Sequence, residues 1–418
     1  MLRFIKRPPV LCFNIATLLF ALSSLLVITP SAIAQLQFNF VDEDGNAAES
    51  SVDPLAVAGF EAAADRWSSV FDDDITVNIQ VVFESIPEDA QTGATILGSA
   101  GSSIIDSVAE LGGAFPTFSL LSDSLASDAT SANDQIAVAN LPNGSSATFD
   151  DGSPAFANGS PVTALSFQTN DREGNIVFDN DTEIGDGASV GNNNVLFGIT
   201  SANAKALGLI EGDSVGIDAQ ITFNSDITFD FDPTDGITDG AFDFVGIATH
   251  ELGHALGVVS GVDLVDSFTG EGPNDEIDIN GAAAGIGELD NFALFSTFDL
   301  FRRSESAFTQ DPDALDLSTG DGVFFSIDGV LGDGNDLPLE TGVANGSGQQ
   351  ASHLADNLGL GILDPTVAPG ELLAITDNDI LLLDVIGFDV VGTAVPEPSS
   401  LAVLFSLGSL SLIQRRRR

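Results

Sequence analysis

The chain of 418 residues has one cysteine, one methionine, one tryptophan and no tyrosine, and 12 lysines and arginines stand against 62 aspartates and glutamates. The cysteine is Cys12 and the methionine Met1, so the rest of the chain has no disulfide, thiol nucleophile or thiolate metal site. A formal charge of −50 makes approach to phosphates repulsive, which argues against nucleic acid or an anionic membrane surface as partner. Without tyrosine there is no phenol to steady a developing oxyanion. Histidine is scarce as well, at three residues. Chemistry therefore falls to three imidazoles, many carboxylates and the backbone. What the chain does have is apolar mass: 44% hydrophobic residues and 30 phenylalanines, enough for a sizeable core in one large domain or two subdomains.

Both ends read as addresses. Arg3, Lys6 and Arg7 precede an apolar stretch from Val10 to Val27 and the small-x-small end Ser31-Ala32-Ile33-Ala34. This is the layout of a secretory signal peptide over residues 1–34, cut before Gln35; an uncleaved membrane anchor is the competing reading. The last residues run Val395-Pro396-Glu397-Pro398, an apolar stretch from Leu401 to Ile413, then Arg415 to Arg418. That stretch falls short of the ~20 residues a stable bilayer span needs, and the arginines hold its end on the cytoplasmic side. The tail, residues 394–418, resembles the PEP-CTERM sorting signal of Gram-negative bacteria. The resemblance implies handling by a signal peptidase and an exosortase-type enzyme, transient membrane association, and delivery to the cell surface or extracellular matrix. Between the two ends the only basic residues are Arg66, Arg172, Lys205, Arg302 and Arg303, against all but one of the acidic residues. So dense a negative charge favours solubility and makes calcium (Ca2+) a second candidate cation.

Hydrophobic periodicity sketches an α+β domain. After Asp53-Pro54, residues Phe60, Ala64, Trp67 and Phe71 recur at helical spacing, predicting an amphipathic helix over 55–71. Ile75, Val77, Ile79, Val81 and Phe83 then alternate with polar residues, predicting a half-buried strand. Residues 84–216 are rich in glycine and small polar residues, with helical patches expected near 103–111 and 201–209 and short strands near 135–139 and 164–169. Asp218 to Phe223 alternates again and reads as an edge strand. Asp42-Glu43-Asp44-Gly45-Asn46 reads as a solvated turn, because it lacks the full twelve-residue calcium pattern.

Two of the three histidines lie in His250-Glu251-Leu252-Gly253-His254-Ala255-Leu256-Gly257. On a helix, positions i and i+4 share one face, so both imidazoles can reach one metal ion while Glu251 leans over the same site. Asp243 is a plausible N-cap and Gly257 permits a sharp exit. Two helical histidines packed in a core would leave Glu251 as a buried charge without purpose. A catalytic zinc (Zn2+) site wants three protein ligands and an open position. Three residues after Gly257 stands Ser260, so the third ligand comes from elsewhere. The candidates are His353, an imidazole that suits zinc well, and the carboxylate of Asp263.

These residues resemble the metzincin clan of zinc peptidases, especially leishmanolysin-like members with a long insert before the third histidine. The resemblance implies zinc ligands His250, His254 and His353, with Glu251 as catalytic base. It also implies that Gly361-Ile362-Leu363-Asp364-Pro365 stands where the clan has its Met-turn, with Leu363 in the methionine's place. The helix expected from Ile375-Thr376-Asp377-Asn378-Asp379 to Ile386 matches the clan's C-terminal helix. A metzincin-like α+β fold follows: a twisted mixed sheet, a catalytic subdomain over 35–257 ending in the HExxH helix, and a smaller C-terminal subdomain over 258–393. The implied activity is an exported zinc endopeptidase in which Glu251 takes a proton from a zinc-activated water, and the strand 218–223 pairs with a peptide substrate. In the insert, Thr297 to Arg303 reads as a lid, a substrate wall or a structural elaboration in which Arg302 or Arg303 pairs with a carboxylate, and 324–328 as a buried strand. A metal-binding surface or matrix adhesion protein without turnover is the alternative.

Overall fold

Residues with alternating branched side chains build the centre of the fold. The computed structural model describes residues 35–392, apart from 91, 106–108, 150, 172–173, 183–193 and 269–294. The expected signal peptide and sorting tail lie outside these residues, as does Arg172. Gln37–Val41 (β1), Thr76–Glu84 (β2), Gly98–Ser102 (β3) and Ala219–Asn224 (β4) form one sheet in the order β1-β2-β4-β3. The first three neighbours run parallel, Ile79 lying opposite Phe40 on one side and Ala219 on the other, while β3 is antiparallel to β4 with Gly98 opposite Phe223.

Two expectations change here. Asp218 to Phe223 is not an edge strand: β4 is bonded on both sides, and β3 forms the edge. With the sequence Gly-Ser-Ala-Gly-Ser, β3 offers no apolar alternation to read. Nor is β2 half-buried; as a central parallel strand it is covered on both faces. Asn78 survives burial there because its amide donates to the Ser214 and Gly216 carbonyls at 2.9 and 3.0 Å, and its backbone N–H to Asp218 at 2.7 Å.

Helices Pro54–Ser68 (α1) and Phe244–Leu256 (α2) pack against the sheet and against each other. Asp53 caps α1 by accepting from the Leu55 N–H at 2.8 Å, with Pro54 in the first turn where no N–H is missed. Gly59 lets the helices close, since a Cβ there would come 2.5 Å from the Phe244 ring. Phe60, Phe223 and Phe244 meet with centroids 4.5 to 5.5 Å apart. The Trp67 indole donates to the Thr249 carbonyl at 2.8 Å, locking α1 to the turn that precedes His250.

Elsewhere local chemistry overrides periodicity. Residues 135–139 belong to a helix, Ala132–Ala139, because Ser131 and Asp134 form a reciprocal capping box just before them. Of the helical patch expected near 103–111, Ile104–Ile105 is a short strand paired with Ile199–Thr200, and 106–108 lie outside the described residues. Near 164–169 the chain makes two short strands, Thr163–Ala164 and Phe167–Asn170, and Ser201–Ala206 is helical. Downstream, Arg302–Ser304, Val323–Phe325 and Leu337–Pro338 form a small sheet, and Asp377–Asp384 (α3) closes the domain. One large apolar cluster draws residues from Leu36 through Phe388, and a small second one gathers Ala147, Ala155, Val162, Ala164 and Val195. Among the described residues no helix is long and apolar enough to cross a membrane.

Candidate metal centre

Helix α2 begins where the buried Asp243 carboxylate accepts from the Gly246 N–H at 2.9 Å, and its other oxygen accepts from Leu373 N–H at 3.1 Å. From this start the 3.6-residue repeat puts His250 and His254 on one face. Gly257 ends the helix at φ +146°, a region that favours glycine, and the turn carries the Val258 carbonyl back to His254. His353 arrives from a loop of the C-terminal half. The three Nε2 atoms are 3.1, 3.1 and 3.2 Å apart.

Each Nδ1 is bound to a backbone carbonyl: His250 to Ile362 at 2.7 Å, His254 to Val258 at 2.7 Å and His353 to Gln350 at 3.0 Å. A carbonyl only accepts, so each Nδ1 carries the proton and each Nε2 presents a lone pair. Three acceptors pointing at one another could hold a metal ion between them. Tetrahedral zinc, with bonds of ~2.0–2.1 Å, holds imidazole nitrogens ~3.3 Å apart, close to the spacing found. Burial lowers the basicity of all three rings, His250 down to about 3 and His353 well below its ordinary value, with the neighbouring imidazoles adding to both shifts. Neutral imidazole is the form that ligates a metal. Among the described residues this is the only trio of such ligand atoms lying within 4.8 Å of one another.

Glu251 is 5% exposed, and burial pushes its carboxyl up to about 8. A cation held by the imidazoles counters that shift. The edge strand lies directly against it: a Cβ on Gly98 would stand 3.1 Å from Glu251 Oε1. His250 keeps part of its surface open to solvent, which leaves a way in.

Asp263, the alternative third ligand, is not at the centre. One of its oxygens accepts from the Ala351 N–H at 2.7 Å and the other from the Ser352 hydroxyl, so it anchors the loop that presents His353. Arg302 does the same from below, fully buried, donating to the carbonyls of Asp316, Glu340 and Ala351 at 3.2, 3.3 and 3.0 Å. Its nearest carboxylate is Asp299, at 3.9 Å. Thr297 to Arg303 are buried, which fits the structural elaboration, with Arg302 bound mainly to carbonyls.

Leu363 is fully buried beneath α2, where a Cβ on Gly253 would approach its Cδ2 to 2.8 Å. Asp379, in the first turn of α3, accepts from Ile362 N–H at 2.9 Å and Leu363 N–H at 3.0 Å and so fixes this turn. That role for Asp379, and those of Gly98 and Arg302, are not visible in the sequence alone, although the Thr376-x-x-Asp379 capping pattern is. Compared with models of protein families, with characterised proteins and with solved structures, the chain matches none.

Proposed function

We propose that the chain is a zinc-dependent endopeptidase of metzincin type, exported and held at the cell surface or in the extracellular matrix. The observation that carries the reading is the convergence of three Nε2 lone pairs beside a buried carboxylate that neighbours an open strand edge. Three imidazoles and no thiolate favour zinc, and a three-ligand set leaves a position for chemistry. Bound zinc supplies Lewis acidity, bringing the pKa of a water toward neutrality and polarising a carbonyl.

The chain's own residues do the rest. Glu251 takes the proton from the attacking water and returns it to the leaving amine, the task of a general base whose carboxyl burial raises above its ordinary value. The edge of β3, unpaired among the described residues, rather than the strand 218–223, offers backbone N–H and C=O groups to an extended peptide, and its glycine, serine and alanine residues leave room for the peptide's side chains. Support for the metzincin resemblance comes from the antiparallel edge strand over the HExxH helix, the apolar turn at Leu363 below it, and the terminal helix α3. Leucine is close to methionine in volume, so an apolar support survives the exchange. The leader and tail are the proposed substrates of signal peptidase and an exosortase-type enzyme.

The test is peptide-library cleavage read by mass spectrometry, with zinc-loaded wild type beside Glu251→Ala and His353→Ala. Wild type is expected to cut, Glu251→Ala to keep fold and zinc while losing cleavage, and His353→Ala to lose zinc. Wild type that holds zinc yet cuts nothing under any calcium or salt condition would replace this reading with the inactive adhesion protein.

A further inference from the structure

The carbonyls that hold two of the three imidazoles belong to peptide groups whose other end is bound to a buried carboxylate. His353 Nδ1 donates to the Gln350 carbonyl at 3.0 Å, and the N–H of that same peptide group, carried by Ala351, donates to Asp263 at 2.7 Å. His250 Nδ1 donates to the Ile362 carbonyl at 2.7 Å, and the N–H of that peptide group, carried by Leu363, donates to Asp379 at 3.0 Å. Each path runs from imidazole through one peptide group to a carboxylate without a break. His254 lacks this arrangement: its carbonyl comes from Val258, and the Val259 N–H behind it donates to the Gly257 carbonyl at 2.9 Å, a neutral acceptor.

The two carboxylates come from separate parts of the chain. Asp263 lies in the helix Val262–Phe268, and its second oxygen accepts from the Ser352 hydroxyl. Asp379 lies in the first turn of α3, is fully buried, and also accepts from the Ile362 N–H at 2.9 Å and the Thr376 N–H at 2.7 Å. These partners are donors, which suits the ionised, acceptor-only form of each carboxyl. Burial raises both carboxyls above the ordinary value, while the hydrogen bonds, and for Asp263 the charge of Arg302, work the other way.

A hydrogen bond to a charged acceptor is roughly twice as strong as one to a neutral acceptor. It also polarises the peptide group that donates it, so the carbonyl at the far end becomes a stronger acceptor. A stronger pull on the Nδ1 proton puts more electron density on Nε2, the atom that faces the metal. The charges balance as well: zinc adds two positive charges to three neutral rings, and the two paths set two negative charges one peptide group beyond them.

We propose that Asp263 and Asp379 are positioning residues of the metal centre, each raising the metal affinity of one imidazole through the peptide group between them. Asp263 thus acts on the third ligand without being a ligand itself. The proposal rests on the three imidazoles binding zinc and not on peptide cleavage.

The test is zinc affinity, measured by competition with a chelator of known affinity, together with the Nδ1 proton resonances of the zinc-loaded protein by nuclear magnetic resonance. In Asp263→Asn the side-chain oxygen still accepts from the Ala351 N–H and the amide donates to the Ser352 oxygen, so the loop keeps its anchor and loses the charge. Zinc affinity is expected to fall about tenfold, and the His353 Nδ1 resonance to move upfield while those of His250 and His254 stay in place. Asp379→Asn is expected to weaken zinc binding and to move the His250 resonance instead. Asp266→Asn, on the same helix as Asp263, removes another buried carboxylate, one that accepts from the Ala344 and Asn345 N–H groups at 2.8 Å, and is expected to keep wild-type affinity. Unchanged affinity or an unmoved His353 resonance in Asp263→Asn would overturn the proposal. An equal fall in Asp266→Asn would do so too, by showing that the loss of any buried charge suffices. Wild type that takes up no zinc would overturn the zinc reading along with it, and that arm is read before the variants. If Asp379→Asn does not fold, Asp263→Asn decides.

Discussion

Arg302 donates to the carbonyl of Ala351 at 3.0 Å, two residues before His353, and so a fully buried cation positions the third imidazole. Arg302→Ala leaves three buried carbonyls without that donor, at about 1–3 kcal/mol each. The variant is expected to be strongly destabilised in urea melts. Arg302→Lys, which keeps the charge but loses the planar fork, is expected to stay folded and hold zinc about 10- to 100-fold more weakly. Equal zinc affinity in Arg302→Lys and wild type would show that the loop needs only the charge.

Leu363 fills the floor under α2, so Leu363→Ala should cost about 2–5 kcal/mol, as cavity-forming core substitutions do. Leu363→Met restores the volume and is expected to fall within about 1.5 kcal/mol of wild type. Chemical denaturation of both, with bound zinc measured alongside, separates the support of the fold from the support of the metal.

At the strand edge, Gly98→Val pushes branched methyl groups against Glu251 Oε1, where even a Cβ stands at 3.1 Å. Cleavage, measured as kcat/KM on the best library peptide, is expected to fall by at least about tenfold with zinc content unchanged. Loss of zinc together with activity would mean that the strand supports the imidazoles instead.

Burial and neighbouring aspartates raise the carboxyls of Asp73, Asp128 and Asp384, which gives the fold a pH signature. Asp73, Asp128 and Asp384 titrate near 7 to 8 in the fold and near 4 unfolded, so between those values the folded state binds more protons. Stability therefore falls as pH rises from about 4 through about 8. Melting curves across this range should show the decline, and Asp128→Asn should flatten it. A stability that climbs with pH over the same interval contradicts the shifts.

The legible parts of this fold were those with a period or a fixed spacing. Trp67 and Phe60 marked α1, Ile79 and Val81 marked β2, and His250, Glu251 and His254 marked their own face of α2. The geometry also brings His353 to that face. Silent residues act through the backbone: β3 is made of glycine, serine and alanine, and Asp263, Arg302 and Asp379 serve by binding N–H or carbonyl groups that no sequence pattern displays. The strand expected at 135–139 failed for a related reason, since the apolar alternation there was weaker than the cap set by Ser131 and Asp134.

The few cations of the described body are turned inward: Lys205, Arg302 and Arg303 are buried and Arg66 is half-buried in a helix. A protease that requires a lysyl or arginyl side chain in its specificity pocket finds these four withheld as long as the body stays folded. Cutting after them by trypsin then reports how often the body opens, so limited digestion becomes a gauge of its breathing.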